Sequence, residues 1–76
     1  MIEPFSLISD ALGCKKETLK PESGLNRHPD WDSFGHLKVI LAMEEAYHIK
    51  IEDSEIMRFA DMKEIIVFYQ EITGSS

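Results

Sequence analysis

The sequence predicts an all-α fold, a small four-helix bundle with a long loop between helices 1 and 2 and a short third helix. Three observations lead there. Apolar residues recur at helical spacing in segments that start with capping residues. Residues 14–31 break the pattern with Pro21, Gly24 and Pro29. No stretch alternates long enough for a strand, since Ile49-Lys50-Ile51 covers only three residues.

The first helix is expected from about Glu3 to Leu12. Pro4 suits a first turn, where its missing N–H is no loss. Phe5, Ile8 and Leu12 make an amphipathic stripe, and Gly13 is a natural stop. The loop that follows has Leu19 and Leu25 as anchors into the core. Long loops in small domains often carry function. Asp32 is a good N-cap for a second helix from Ser33 to about Tyr47. Asp53-Ser54 is expected to cap a short third helix near Ser54 to Arg58. The fourth begins at Asp61, where Asp61-Met62-Lys63-Glu64 resembles a capping box. Ile65, Phe68, Tyr69 and Ile72 supply its buried stripe, flanked by Val67. The whole chain, 1–76, reads as one domain with a flexible tail from about Gly74.

The second helix has two apolar faces. With Phe34 at zero and about 100° per residue, Val39, Ala42, Met43, Ala46 and Tyr47 lie between about 80° and 220°, and Ile40 at about 240°. That broad face must meet the core. Phe34, Leu37 and Leu41 form a second stripe on the opposite side, rimmed by Lys38, Glu44 and Glu45. A core-facing helix needs only one apolar stripe. The second is either covered by another part of the chain or offered to a partner. Ser33, which starts the helix beside this stripe, favours a partner.

Composition narrows the function. The chain has 14 acidic and 8 basic residues, a formal charge of −6. That field repels nucleic acid and attracts cationic protein surfaces. No apolar run approaches the roughly 18 residues of a membrane span. Cys14 stands alone, so no internal disulfide forms and a reducing compartment fits. The segment MIEPFSLISDALG has acidic residues and no basic ones, which does not read as a secretory signal. A cytoplasmic monomer is expected.

Asp32-Ser33-Phe34, followed by Leu37 and by Leu41-Ala42-Met43-Glu44-Glu45-Ala46-Tyr47, resembles the acyl carrier protein family. Its usual signature is Asp-Ser-Leu, then a helix ending in Leu-Glu-Glu and an aromatic residue. Leu12-Gly13-Cys14 is similar to the Leu-Gly-Val that closes the family's first helix. The 21-residue step from Leu12 to Ser33 matches its spacing. Ile51-Glu52-Asp53 is similar to the Ile-Pro-Asp before its short third helix. The resemblance covers nearly the whole chain. It implies that Ser33 carries a 4′-phosphopantetheine arm, transferred from coenzyme A by a phosphopantetheinyl transferase with a divalent cation. It also implies acyl-loading and acyl-transfer enzymes as partners. Asp32, Phe34, Leu37, Lys38, Leu41, Glu44 and Glu45 would then form the partner surface.

The chain departs from the family pattern at Phe34 in place of Leu. Gly35 and Lys38 stand where fatty-acid carriers often have acids, and His48 where Gly often closes the helix. Trp31 before Asp-Ser and Gly35-His36 after Phe34 look more like stand-alone carriers of specialised pathways.

Other readings of the same residues exist. His28, His36, His48 and Cys14 match no familiar zinc spacing, so no metal is expected. His36 is expected as a first-turn residue or part of the carrier surface. A hydrolase would need a base and an orienting acid at Ser33, which lacks a Gly-x-Ser-x-Gly setting, so no enzyme is expected. A helical interaction module without an arm, and a carrier of amino-acid cargo, stay open.

Overall fold

A computed structural model describes residues 2–74, and each of its α-helices begins at an acidic cap. α1 spans Pro4–Leu12, α2 spans Ser33–Tyr47 and α3 spans Met62–Thr73. Glu3 accepts hydrogen bonds from the Phe5 and Ser6 amides, with Pro4 in the first turn. Asp32 Oδ1 accepts from the Gly35 amide at 2.7 Å, and Asp61 Oδ1 from the Glu64 amide at 2.9 Å. Each bond satisfies a helix-start donor that has no partner within the helix. The other ends close in left-handed backbone, at Gly13 for α1, His48 for α2 and Gly74 for α3. His48 does so at φ 54° without glycine's freedom, and its amide reaches the Glu44 carbonyl. Beyond Gly74, the expected tail lies outside the described residues.

The short third helix is a 3₁₀ helix over Asp53–Phe59, longer than expected. Asp53 does not cap it. Its first turn is closed by backbone, Glu55 N–H to the Glu52 carbonyl at 2.8 Å, and no side chain caps it. The capping box at α3 is also one-sided, because the Glu64 carboxylate turns to Arg58 at 3.8 Å.

The core is built by α1 against α2 and α3, with the 3₁₀ helix closing over α3. Lying against both neighbours widens the apolar face of α1. Leu7, Ile8 and Leu12 are buried, while the expected Phe5 is half-buried. α2 contributes Val39, Ile40, Met43 and Tyr47, and α3 contributes Met62 and Ile65. Phe68, Tyr69 and Ile72 are half-buried at the edge. Phe68 meets Phe59 edge-on at 5.2 Å, under an Arg58 guanidinium that also pairs with Glu55, Glu64 and Glu71.

The long loop is fastened through its middle. Leu19 is buried and Leu25 packs on the core. Leu25 N–H reaches the Ala60 carbonyl at 2.7 Å and Met62 N–H the Ser23 carbonyl at 2.8 Å, framing an isolated Gly24–Asp61 bridge. Among the described residues no other strand-like pairing occurs, and no helix is long and apolar enough to cross a membrane.

Lys16 Nζ lies 2.7 Å from Glu3 Oε2. This cation, with the Ser6 and Phe5 donors, lowers the Glu3 carboxyl from its ordinary 4.5 to about 2, against the opposing effect of desolvation. A depressed carboxyl stabilises the fold above its unfolded value, and the contribution is lost as pH falls from about 4.5 through about 2. Both partners are well exposed, so the contribution is at most about 1 kcal/mol. Urea melts should show Glu3→Gln losing less stability than the parent between pH 6 and pH 3. Parallel losses would mean that the pair contributes nothing.

Candidate functional site

Ser33 is the first residue of α2. It is exposed, and its hydroxyl has no hydrogen-bond partner among the described residues. Its neighbours are held on both sides. Asp32 caps Gly35, and the His36 amide reaches the Asp32 carbonyl at 2.8 Å. Upstream, the Asn26 amide donates to the Trp31 carbonyl at 2.7 Å, and the Trp31 amide to the His28 carbonyl at 3.0 Å. The result is an accessible hydroxyl on a fixed frame, at the positive end of a 15-residue helix.

Gly35 explains why α2 sits where it does. A Cβ there would lie 2.5 Å from the Asp30 carbonyl oxygen and 3.0 Å from Leu12 Cδ2. Only a residue without a side chain lets the first turn of α2 reach the loop and the end of α1. The absence of an acid at this position therefore has a steric cause.

The second stripe is exposed. Phe34 is 67% accessible, Leu37 54% and Leu41 64%. Lys38 stands over the Phe34 ring, its Nζ 4.7 Å from the centroid, a cation–π contact one helical turn apart. Asp32 and Glu45 are exposed. Glu44 is half-buried, and its Oε2 accepts the Ile51 amide at 2.9 Å, so one of its oxygens serves the α2 exit. Met57, 63% accessible on the 3₁₀ helix, is a further exposed apolar residue that the periodicity did not flag.

His36 is not a surface residue. It is 4% accessible and bridges two elements. An indole N–H only donates, so the 3.0 Å bond from Trp31 Nε1 makes His36 Nδ1 an acceptor. Nε2 then carries the ring proton and donates to the Ile56 carbonyl at 2.9 Å. The two rings stack with centroids 6.2 Å apart, and Trp31 is wholly buried. The signal was in the wheel: Gly35 and His36 lie at about 100° and 200°, inside the core face.

Acyl carrier proteins of Nitratidesulfovibrio vulgaris match this chain. That of strain DP4 is 32% identical over 60 residues, 79% of each chain. That of strain Miyazaki F is 31% identical over 62 residues, 82% of each. The Hildenborough strain gives 32% over 60 residues, again 79% of each. The chain belongs to the acyl carrier protein family. No family model matches it. Family membership makes the chain a carrier and not an independent enzyme.

Among the described residues, one group of candidate metal ligands does come together in this carrier. Cys14, His28 and Asp30 place ligand atoms within 4.8 Å of one another, a proximity not legible in their spacing. Both His28 nitrogens are already engaged. Nδ1 accepts from the Asp30 amide at 3.1 Å, and Nε2 meets Thr18 Oγ1 at 2.9 Å. The imidazole is a loop fastener. His36 is likewise committed at both nitrogens, and His48 is exposed at the end of α2.

The close approach at Gly35 has a measurable consequence. In a free helix Gly→Ala gains about 1 kcal/mol. Here overpacking against a backbone oxygen that cannot swing aside costs about 1–3 kcal/mol. Gly35→Ala should therefore lower stability, or at best leave it level, in chemical melts. A clear gain would show that the helix does not press on Asp30 and Leu12.

Proposed function

We propose that the chain carries an acyl or related intermediate on a 4′-phosphopantetheine arm attached to Ser33 and presents it to partner enzymes. The observation that carries this reading is an exposed, unengaged serine at the start of α2, next to an exposed apolar stripe. The residues fit the group. The hydroxyl is reachable, no side chain at position 35 crowds the first turn, and the helix start favours a phosphodiester. When attached, the arm supplies a terminal thiol that holds cargo as a thioester.

The roles of the chain's own residues follow. Ser33 Oγ is the attachment point for the phosphate of coenzyme A, delivered by a phosphopantetheinyl transferase. Asp32 keeps the first turn formed by capping Gly35 and presents negative charge beside it. Phe34, Leu37 and Leu41 give partners an apolar strip, with Lys38 beside Phe34 and Glu44 and Glu45 beyond. A four-helix domain that spends its small core on α1, α2 and α3 leaves this strip for association. The formal charge of −6 favours partners rich in Lys and Arg.

The pathway is proposed to be a specialised one. Lys38 lies within the partner strip, and Trp31, Gly35 and His36 form a junction in which an acid at 35 has no room. A cytoplasmic monomer of one domain suits this role.

Two outcomes test the proposal. Incubation with coenzyme A and a broad-range transferase should add one pantetheine arm by intact mass, and Ser33→Ala should take none. An arm on Ser33→Ala would refute the site. Leu37→Ala and Leu41→Ala should slow acyl transfer with partner enzymes while shifting stability by less than about 0.5 kcal/mol. Met43→Ala should instead cost about 2–5 kcal/mol, because it empties a buried site. Equal losses of stability at Leu37, Leu41 and Met43 would show that the strip is packed.

A further inference from the structure

Ser33 sits inside a short bracket of the chain that two side chains close. Trp31 stands two residues before it and His36 three residues after. Their rings are joined by the Nε1–H to Nδ1 bond of 3.0 Å, and Ser33 between them in the chain is exposed. The Asp32 cap on Gly35 and the His36 amide bond to the Asp32 carbonyl lie within the same bracket. On its far side His36 Nε2 holds the carbonyl of Ile56, so the 3₁₀ helix is anchored to the bracket as well. Both rings are buried, and neither has a bond to Ser33.

From this closure we infer that Trp31 and His36 are positioning residues for modification of Ser33. The inference rests on the attachment reading above. In that step Ser33 Oγ attacks the β-phosphorus of coenzyme A. The Oγ–P bond forms and the bond from that phosphorus to the bridging diphosphate oxygen breaks. Adenosine 3′,5′-bisphosphate leaves with the electron pair, and the hydroxyl proton passes to a base of the transferase. The attack is in line, so its rate depends on where Oγ points once the carrier has docked. The exposed strip governs docking. The bracket governs the direction of Oγ, because it fixes the backbone on both sides of residue 33.

Within the bracket the Trp31 bond matters more than the Ile56 bond. The first ties the loop before Ser33 to the helix after it. The second ties the helix to a segment 20 residues away. The two can be separated by isosteric replacement. In His36→Asn the amide oxygen falls near the Nδ1 position and keeps an acceptor for the indole. In His36→Gln the amide nitrogen falls near Nε2 and keeps the donor for Ile56.

The test uses the 76-residue apo chain, coenzyme A and a broad-range transferase, with initial rates measured by intact mass at varied carrier concentration. The chain has one tryptophan, so the indole N–H resonance reports the bracket directly. Trp31→Phe and His36→Gln should lower kcat by about ten- to a hundredfold while KM stays within about twofold. His36→Asn should restore most of kcat and leave the indole resonance near its wild-type position, whereas His36→Gln should move it. Should Trp31→Phe fail to fold, the Asn and Gln variants decide by themselves. Wild-type kcat in the folded variants overturns the positioning role. So does a loss of kcat that is equal in Asn and Gln and follows only their melting temperatures. A wild-type chain that takes no arm overturns the attachment reading itself, and the positioning role with it, which separates the two failures.

Discussion

The first turn of α2 presses against the Asp30 carbonyl and Leu12, and a Cβ at position 35 would lie 2.5 Å from that oxygen. Much else depends on this approach. It brings the end of the long loop, the end of α1 and the start of α2 to one point. It turns the next residue, His36, inward, where the imidazole meets Trp31 and Ile56. Ser33, between these held residues in the chain, stays accessible. A bulkier residue at 35 would push the helix outward and loosen each of these bonds together, since they share one short piece of backbone.

A chain of 76 residues has little apolar surface to spare, yet this one exposes Phe34, Leu37, Leu41 and Met57. Apolar area left in water forgoes roughly 25 cal/mol per Å². Polar fastening offsets part of the loss. The loop is tied to α3 by paired backbone bonds around Gly24 and Asp61 and internally by His28 to Thr18 and Asp30. Tyr47 reaches back to the Ile2 carbonyl, and burial with the nearby Tyr69 and Glu3 pushes its hydroxyl up to about 12. No buried side-chain polar atom among the described residues lacks a partner. The loop is thus a stitched element of the fold, although its sequence has no periodicity.

What could be read from the sequence divides along physical lines. The α-helices were legible because local chemistry marks their ends. Glu3-Pro4, Asp32 and Asp61 start them, and the two-sided wheel of α2 separated Val39 and Met43 from Phe34, Leu37 and Leu41. Asp53 misled because a 3₁₀ turn can close on its own backbone and need not use a nearby acid as a cap. Leu7 was missed because α1 touches two helices, which only tertiary packing reveals. Ser33, Asp32 and the strip were legible as a pattern. The bracket was not, because a histidine on a core face needs two partners to be tolerated there. Those partners, Trp31 Nε1 and the Ile56 carbonyl, come from a loop and a distant turn.

Charge on the exposed side of α2 bears on how the carrier would meet partners in the proposed role. An apolar strip alone would associate with little discrimination. Among the described residues the other paired cations lie elsewhere: Lys16 on Glu3, Arg27 on Asp61 and Arg58 among Glu55, Glu64 and Glu71. α2 itself carries one cation, Lys38, against Glu44 and Glu45 and the Asp32 cap. Long-range attraction toward cationic surfaces therefore comes from the net charge and decays over about 8 Å at physiological salt. Lys38 acts only at close range, where it already rests on the Phe34 ring, a contact worth about 0.5–1 kcal/mol at an exposed site. A partner that covers Phe34 has two options. It can leave Lys38 in place and accept a cation at the edge of its apolar pocket, or it can supply an acid to draw the lysine away. A surface built only of Lys and Arg does neither. In the proposed carrier role, the acidic field would bring partners in, and Lys38 would disfavour those adapted to a uniformly acidic helix.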